Sequence, residues 1–251
     1  MADARPAEKT PIWRFFAALV VPLVLALAKF TFHHPEKIPK TGAFIMTANH
    51  ISDFDPLVTA YTLWHHGRPP HYLAKASLFR VPIVGLAFKA TDQVPVERAL
   101  GGSEPLAAAA KLIEKQLAVV IYPEGTLTRE PELWPMRGKY GAMRLALQYD
   151  LPVIPCGQWG AQRVLPRWSK RISLFPRKQI DVVIGDPVDL SQWRGKHKDI
   201  KALAEATETV MHAITALVAE LRPGETPPTS LWDPAEHGQS EYGRPDEVPE
   251  T

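Results

Sequence analysis

The sequence has very little cysteine. Cys156 is the single cysteine among 251 residues, which excludes a disulfide within the chain and a cysteine-rich zinc site. So few thiols suit a reducing compartment. Because Cys156 stands between Pro155 and Gly157 at the end of an apolar run, we interpret it as a core residue.

The sequence also lacks the histidine spacing of a helical metal site. His33-His34 and His65-His66 are adjacent pairs, and neither has the i, i+4 spacing that places two ligands on one helix face. We therefore predict neither a bound metal nor a cofactor.

A third absence is of any internal repeat or sign of a second folded domain. Short apolar runs instead alternate with helical patterns. Strands are predicted at 42–48, 71–75, 93–97, 117–123, 151–157 and 179–185, and helices at 56–66, 82–89, 103–116, 138–149 and 199–221. This alternation predicts a single α/β domain with a mostly parallel or mixed central sheet flanked by helices.

The net charge is small, but the charges are unevenly distributed along the chain. The formal net charge is +2, while residues 223–251 hold seven acidic residues and one basic residue. Residues 1–222 therefore carry +8, which suits anionic partners such as phosphorylated substrates, membrane headgroups or nucleic acid. Because the tail has little apolar content, we expect 223–251 to be an acidic disordered segment.

The N-terminal segment is apolar but short. Fourteen uncharged residues run from Phe15 to Ala28 and include Pro22, whereas a spanning helix usually needs about 20 residues. No small-residue cleavage site follows the apolar run, so a secretory signal is not expected. We predict a membrane-associating helical segment over 1–35, with the α/β domain over 36–222; a buried first helix is the alternative.

The stretch NHISDFDP (49–56) places His50 directly after a predicted strand. Asp55, followed by proline, is predicted to cap the next helix. A turn of this length can fold the Asp55 carboxylate back to one imidazole nitrogen and leave the other free to accept a proton. Asp53 is a second possible partner. On this turn alone, purely structural hydrogen bonding explains His50 and Asp55 equally well.

Other polar residues also follow predicted strands, where open α/β sheets place their sites. Glu124 and Thr126 lie in a sharp turn, YPEGT, which alone is more often only a turn. Lys75 could neutralise a phosphate or an oxyanion, although a surface lysine is the alternative. Arg98 suits bidentate phosphate binding, although Glu97 beside it could be its partner.

Taken in order, these elements resemble the glycerophosphate and lysophospholipid acyltransferase family. The family's His-x4-Asp block, often preceded by Asn, is matched by Asn49, His50 and Asp55. Its Pro-Glu-Gly-Thr block is matched by 123–126, and its proline-bearing apolar strand by 151–155. The resemblance covers about residues 10–190.

The chain departs from the family pattern at two places. Asp92 stands where the family usually has glycine, although Arg98 keeps its place, and Leu127 stands where arginine often follows Glu-Gly-Thr. These departures concern the acceptor-binding wall, so they affect the identity of the acyl acceptor rather than the reaction.

The resemblance implies transfer of an acyl group from acyl-CoA or acyl carrier protein to a lysophospholipid hydroxyl, foremost 1-acylglycerol-3-phosphate. His50, oriented by Asp55, would take the hydroxyl proton without an acyl-enzyme intermediate. Lys75 and Arg98 would bind the acceptor phosphate. The pocket would be shaped by Glu124, Gly125 and Thr126.

Alternatives remain at this level. Another lysophospholipid or a glycolipid could be the acceptor, a thioesterase or lipid hydrolase could use the same pair, and a lipid-binding protein could lack activity. We expect the protein at the cytoplasmic face of the cell membrane, with the lipid surface and the acyl donor as partners and no nucleic acid.

The stretch 163–178 holds six basic and no acidic residues, interleaved with Trp168 and Phe175. Such interleaving occurs in nucleic-acid-binding proteins. Beside an apolar N-terminal segment, anionic headgroups or the phosphates of coenzyme A fit better. A solvated surface is an equally good interpretation. Lys139 and Arg144, at the start of the helix predicted over 138–149 and along it, are expected near the Glu124 turn, and a solvated helix face explains them equally well.

Overall fold

The computed structural model describes residues 9–96 and 104–240. In those ranges the helices are α1 (Pro11–Leu27), α2 (Asp55–His65), α3 (Pro82–Ala90), α4 (Glu104–Glu114), α5 (Gly141–Tyr149), α6 (Ala161–Val164) and α7 (Ile200–Glu220). The strands are β1 (Ala28–His33), β2 (Phe44–Ala48), β3 (Pro70–Lys75), β4 (Val94–Val96), β5 (Ala118–Ile121), β6 (Val153–Trp159) and β7 (Lys178–Ile184). Short 3-10 helices cover Pro35–Lys37, Ala76–Arg80, Ser191–Trp193 and Pro234–His237.

The strands form one mixed sheet in the order β1-β7-β6-β2-β5-β3-β4. Neighbouring strands are parallel except β6 and β7, which are antiparallel. The strands β2 to β6 therefore end at one edge, here called the carboxyl edge, and β1 and β7 begin there. The predicted α/β fold with a mixed central sheet is confirmed.

Helices cover both faces of the sheet. Side chains of a central strand alternate between the two faces, and here the side chains on both faces are apolar. In β2, Phe44 and Met46 pack with α1 and α2, whereas Ile45 packs with α4, α5 and α7. All five residues of β2 are buried, as expected for a parallel strand covered on both sides. The strand that precedes His50 is thus held rigidly at the centre of the domain.

The predicted N-terminal segment is not one helix. Helix α1 ends at Leu27, and β1 pairs in parallel with β7. Aromatic residues such as Phe30 and Phe32 favour strands, and in β1 both rings contact Tyr61. The sheet therefore begins before the predicted domain boundary at residue 36. No helix within 9–96 and 104–240 has both the length and the apolar character to cross a membrane.

The C-terminal region also differs from the prediction of disorder. Residues up to 240 have a described structure, and Trp232 forms an isolated parallel bridge with Met136. The Arg137 N–H donates to the Trp232 carbonyl (2.9 Å), and the Arg137 side chain pairs with Asp233. The low apolar content of residues 223–251 predicts disorder as a whole and does not reveal this local contact. The rest of the predicted tail, 241–251, lies outside the described residues.

Candidate active site

Two turns meet at the carboxyl edge of the sheet. One follows β2 and contains His50; the other follows β5 and contains Glu124. Because β2 and β5 are parallel neighbours, the turns lie side by side. The His50 N–H donates to Glu124 Oε1 (2.8 Å), and the Thr128 N–H donates to the His50 carbonyl (2.7 Å). The backbone of His50 is thus held from both sides.

The imidazole of His50 is hydrogen-bonded to the carboxyl group of Asp55. The imidazole Nδ1 lies 2.9 Å from Asp55 Oδ2. The same oxygen accepts from the N–H groups of Ile51 (2.6 Å) and Ser52 (2.8 Å). Asp55 does not cap its own helix, because Phe54 is the N-cap residue of α2 and Asp55 is the first helical residue. Its carboxylate is turned back into the loop, where it fixes the imidazole.

The Asp55 carboxylate is fully buried, whereas the His50 side chain retains 12% exposure. Burial raises the pKa of the Asp55 carboxyl, against the opposing effects of the imidazole and the two loop N–H groups. The start of α2 also favours negative charge at this position. Because His50 is partly exposed, it can exchange a proton with a substrate, and because it is hydrogen-bonded to the buried Asp55 carboxyl, it keeps one orientation. Asp53, the other possible partner, is exposed.

Tyr122 completes the setting of His50 and was not predicted from the sequence. Its ring stacks on the imidazole, with centroids 4.3 Å apart and planes inclined by 22°. Its hydroxyl lies 2.8 Å from Thr59 Oγ1, and that oxygen lies 2.9 Å from the Tyr72 hydroxyl. Burial, with smaller effects from Tyr72 and Asp55, raises the pKa of Tyr122 well above its ordinary value. The one available signal was its position beside the Pro-Glu-Gly-Thr turn.

A pair of amides fixes the residue before His50. The N–H of Gln158 donates to Asn49 Oδ1 (2.9 Å), and Asn49 Nδ2 donates to the Gln158 carbonyl (3.0 Å). The Gln158 side chain also donates to the Asn49 carbonyl (2.9 Å). Both residues are buried. Asn49 is part of the motif that the sequence predicts, whereas Gln158, its partner in β6, carries no sequence signal.

Glu124 lies beneath its turn rather than on the surface. Its Oε1 accepts from His50 and its Oε2 from the N–H of Met136 (3.2 Å). The residue is fully buried, and burial raises the pKa of its carboxyl to about 8 against the opposing hydrogen bonds. Both carboxyl oxygens are used within the protein, so the geometry makes Glu124 a brace between the two turns.

The other predicted residues of this turn are more accessible. Gly125 and Thr126 are half-buried. Gly125 has a φ of +73°, and a Cβ added there would lie 3.1 Å from the Lys139 stem, so glycine permits both the turn and this close approach. Lys139 is near the turn, as predicted, because its N–H donates to the Pro123 carbonyl (2.7 Å).

The remaining predicted residues are less closely defined. Lys75 is the last residue of β3, at the carboxyl edge. Arg98 lies outside the described residues. Arg144 is exposed on α5. Cys156 is buried in β6 and its pKa is raised to about 12 by burial, which fits a core residue.

A cleft of about 220 Å³ lies beside the Glu124 turn. Its lining comes from the turn, the segment before α5 and the C-terminal region: Glu124, 136–140, Asp233 and Pro234. Across residues 9–96 and 104–240, no three His, Cys, Asp or Glu side chains are grouped so that they could hold a metal ion.

A family model described as Acyltransferase matches residues 29–159. The match includes β1 to β6 and both turns of the carboxyl edge, and it covers more than half of the chain.

Named relatives point in the same direction. A 1-acyl-sn-glycerol-3-phosphate acyltransferase of Bacillus subtilis is 25% identical over 210 residues, which cover 82% of this chain and 97% of that protein. A chloroplastic 1-acyl-sn-glycerol-3-phosphate acyltransferase of Brassica napus is 27% identical over 141 residues, or 55% of this chain. The chain spans only 40% of that plant protein.

The fold has a counterpart among solved structures. The crystal structure of the 1-acyl-sn-glycerophosphate acyltransferase PlsC from Thermotoga maritima superposes with a TM-score of 0.64 at 21% sequence identity. The alignment covers 90% of this chain and 86% of that one. At this identity the likeness establishes a shared fold.

Proposed function

The chain belongs to the acyltransferase family, and on that premise we propose that it transfers a fatty acyl group from an acyl thioester to a lysophospholipid hydroxyl. The proposed acceptor is 1-acylglycerol-3-phosphate, which would give phosphatidic acid. The relatives from Bacillus subtilis and Brassica napus, both named for this activity, support that choice of acceptor.

The observation that carries the proposal is the His50–Asp55 pair at the carboxyl edge. A histidine whose Nδ1 is engaged by a buried carboxylate at 2.9 Å presents Nε2 for proton transfer. This arrangement suits a general base that activates a hydroxyl. Stacking on Tyr122 and the brace from Glu124 keep the imidazole in that position before any substrate binds.

In the proposed reaction, the acceptor hydroxyl oxygen attacks the thioester carbonyl carbon while its proton passes to His50 Nε2. Asp55 stabilises the resulting imidazolium. As the tetrahedral intermediate collapses, the carbon–sulfur bond breaks and the thiolate takes the proton from Nε2, which restores neutral histidine. The buried Cys156 is not a suitable nucleophile, because burial raises the pKa of its thiol to about 12 and only the thiolate reacts.

The acceptor phosphate requires cations. Lys75, at the end of β3 on the same edge as His50, and Arg98 are proposed for this role, since both types of side chain bind phosphate. Gly125 and Thr126, half-buried at the adjoining turn, are proposed to border the glycerol moiety. Glu124 would act beneath them by positioning the turn.

We further propose acyl-CoA or acyl carrier protein as the donor, with no resident cofactor, and action at the cytoplasmic face of the cell membrane. The apolar residues of α1 support membrane association, because Phe15, Leu19 and Leu23 leave a stripe of exposed side chains on the helix surface. Such a stripe suits a helix that lies on a bilayer.

The test is to incubate the purified protein with labelled acyl-CoA and a panel of lyso-lipids, and to identify the products by mass spectrometry. Diacylated product from 1-acylglycerol-3-phosphate, absent with His50→Ala, is the expected result. Transfer only to another lyso-lipid would change the acceptor. Release of free fatty acid at a rate that no lyso-lipid alters would instead identify a thioesterase.

A further inference from the structure

The connection from α6 to β7 exposes large apolar side chains. We call residues 165–177 the basic loop. Ile172 is 53% exposed, Leu174 54% and Phe175 82%. A single exposed apolar residue is unremarkable, but three within four positions, beside basic residues, form a patch of the kind that marks an interaction surface.

The base of the basic loop is fastened to the candidate active site. Ser52 Oγ, in the His50 turn, donates to the Leu165 carbonyl (2.6 Å). Arg167 Nη1 donates to the carbonyls of Thr128 (2.6 Å) and Glu130 (2.8 Å), beyond the Glu124 turn. The N–H of Ser173 donates to the Val164 carbonyl (2.8 Å). The apolar tip is therefore held outward from a fixed base.

The charges of the loop divide into two groups. Arg167 is turned inward to its two carbonyls, and Arg177 Nη2 donates to the Ala28 carbonyl (2.8 Å). Lys170 and Arg171 are exposed beside the apolar tip. No acidic residue occurs from 163 to 178, so the exposed tip combines positive charge with apolar surface.

The loop also adjoins the end of α1. Residues Ala28 and Lys178 are register partners in the β1–β7 pair, and Arg177 joins the two segments through its bond to Ala28. One turn earlier on α1, Leu23 is 66% exposed. The basic loop and the end of α1 thus meet at the same edge of the sheet as His50.

We propose that the basic loop docks on an anionic lipid bilayer, with Ile172, Leu174 and Phe175 inserted among the acyl chains and Lys170 and Arg171 against the headgroups. Basic residues beside inserted apolar side chains match a surface that offers negative charge above hydrocarbon. Nucleic acid fits less well, because a phosphate backbone offers no partner for the apolar tip. Docking would place the His50 turn, tied to Leu165, where a membrane-resident acceptor arrives.

The test is sedimentation of the full chain with vesicles of phosphatidylcholine alone or mixed with phosphatidylglycerol. We expect stronger binding to the anionic vesicles. Lys170→Glu with Arg171→Glu should remove most of that preference, since each basic residue near an anionic surface contributes about fivefold in affinity. Leu174→Ser with Phe175→Ser should weaken binding to both vesicle types at least about tenfold. Lys198→Glu with Ile200→Ser, at exposed residues just before α7 and at its first position, is the matched control and should bind as the wild type does.

Wild-type binding by both loop variants would overturn the proposal. So would a loss of binding to duplex oligonucleotide, in the charge variant, with vesicle binding unchanged. The inference rests on the proposed function only for the identity of the acceptor. Acyl transfer to a short-chain, monomeric acceptor distinguishes docking from the proposed reaction. If the loop variants keep this activity but lose transfer to acceptors in vesicles, docking is supported. If the wild type has no activity on any acceptor, only the proposed reaction fails.

Discussion

Two buried carboxyl groups sit on either side of His50 and differ in what they accept. Asp55 accepts from the imidazole and from two loop N–H groups through one oxygen. Glu124 divides its two oxygens between the backbone N–H groups of His50 and Met136. Burial raises the pKa of both groups.

The difference teaches which of the two needs its charge. An imidazole that gains a proton during the reaction is stabilised by a negative carboxylate, so Asp55 is expected to act in its ionised form. Glu124 is hydrogen-bonded to neutral groups, the N–H groups of His50 and Met136 and the side chain of Thr128, and with a pKa of about 8 it is mostly protonated at neutral pH. Asp55 should therefore depend on charge, and Glu124 on shape and hydrogen-bonding capacity.

The largest expected effect is on turnover. His50→Ala and Asp55→Asn should each lower kcat by about 10²- to 10⁴-fold, the usual contribution of general base catalysis. Glu124→Gln, the matched control at the other carboxyl, should retain most of the activity at pH 7. Steady-state acyl transfer measures the loss, and circular dichroism checks that each variant is folded. Equal losses in Asp55→Asn and Glu124→Gln would remove the distinction between the two carboxyls.

The next effect is on stability. Glu124→Ala leaves the buried N–H groups of His50 and Met136 without their acceptor, which should lower the free energy of unfolding by about 2 to 5 kcal/mol. Glu124→Gln keeps one acceptor oxygen but turns its NH2 group toward the other N–H, so it should cost less than Glu124→Ala, about 1 to 2 kcal/mol. Urea denaturation of the three proteins gives the comparison. If Glu124→Ala lowered the free energy of unfolding only slightly, water would replace the carboxyl as the acceptor of these N–H groups.

The pH dependence of stability should also distinguish the variants. Glu124 has a pKa of about 8 in the folded protein against an ordinary 4.5, so the folded state binds the proton more tightly. Its contribution is complete below pH 4.5 and is lost as the pH rises toward 8. Between pH 5.5 and 7.5 the wild type should lose about 2.5 kcal/mol relative to Glu124→Gln. Parallel curves from urea denaturation at several pH values would mean that Glu124 is ionised throughout.

The smallest effect concerns the ring that faces His50. Tyr122→Phe keeps the stacked ring and removes the hydroxyl bond to Thr59, so it should cost about 1 kcal/mol of stability and leave kcat within about threefold of the wild type. Tyr122→Leu removes the stacking surface and should reduce kcat by about tenfold or more through a less well-oriented imidazole. Should Tyr122→Phe lower kcat as far as Tyr122→Leu does, the hydroxyl rather than the ring would position His50.

The sequence predicted the fold best where local signals were strong. Buried strands such as β2 and β5 are short apolar runs bounded by turn residues, and they lie where expected. The predicted helical segment is wrong at Phe30 and Phe32, which lie in β1; their apolar character continues that of α1 and so favours a helix in the sequence. In β1, Phe30 is the register partner of Ile180 in β7. This pairing joins distant parts of the chain, and periodicity cannot reveal such a tertiary contact.

The sequence predicted the motif residues of the candidate site but not the residues that hold them in position. The five-residue separation of His50 and Asp55 permits their contact, and the family resemblance favours Asp55 over Asp53 as the partner. The stacking of Tyr122 and the partnership of Gln158 with Asn49 join residues from different strands. The family resemblance implies that Glu124 shapes the substrate pocket, and only the burial of the carboxyl and its two backbone donors indicate a brace.

The amide pair between β2 and β6 has an evolutionary consequence. Asn49 and Gln158 share three hydrogen bonds in a buried setting, so replacing either one leaves the other's polar atoms unsatisfied. Because each side chain bonds only the main chain of the other residue, which every residue type retains, Asn49 and Gln158 should each be restrained independently as related sequences diverge. Separated by 109 residues, they together fix where the His50 turn begins.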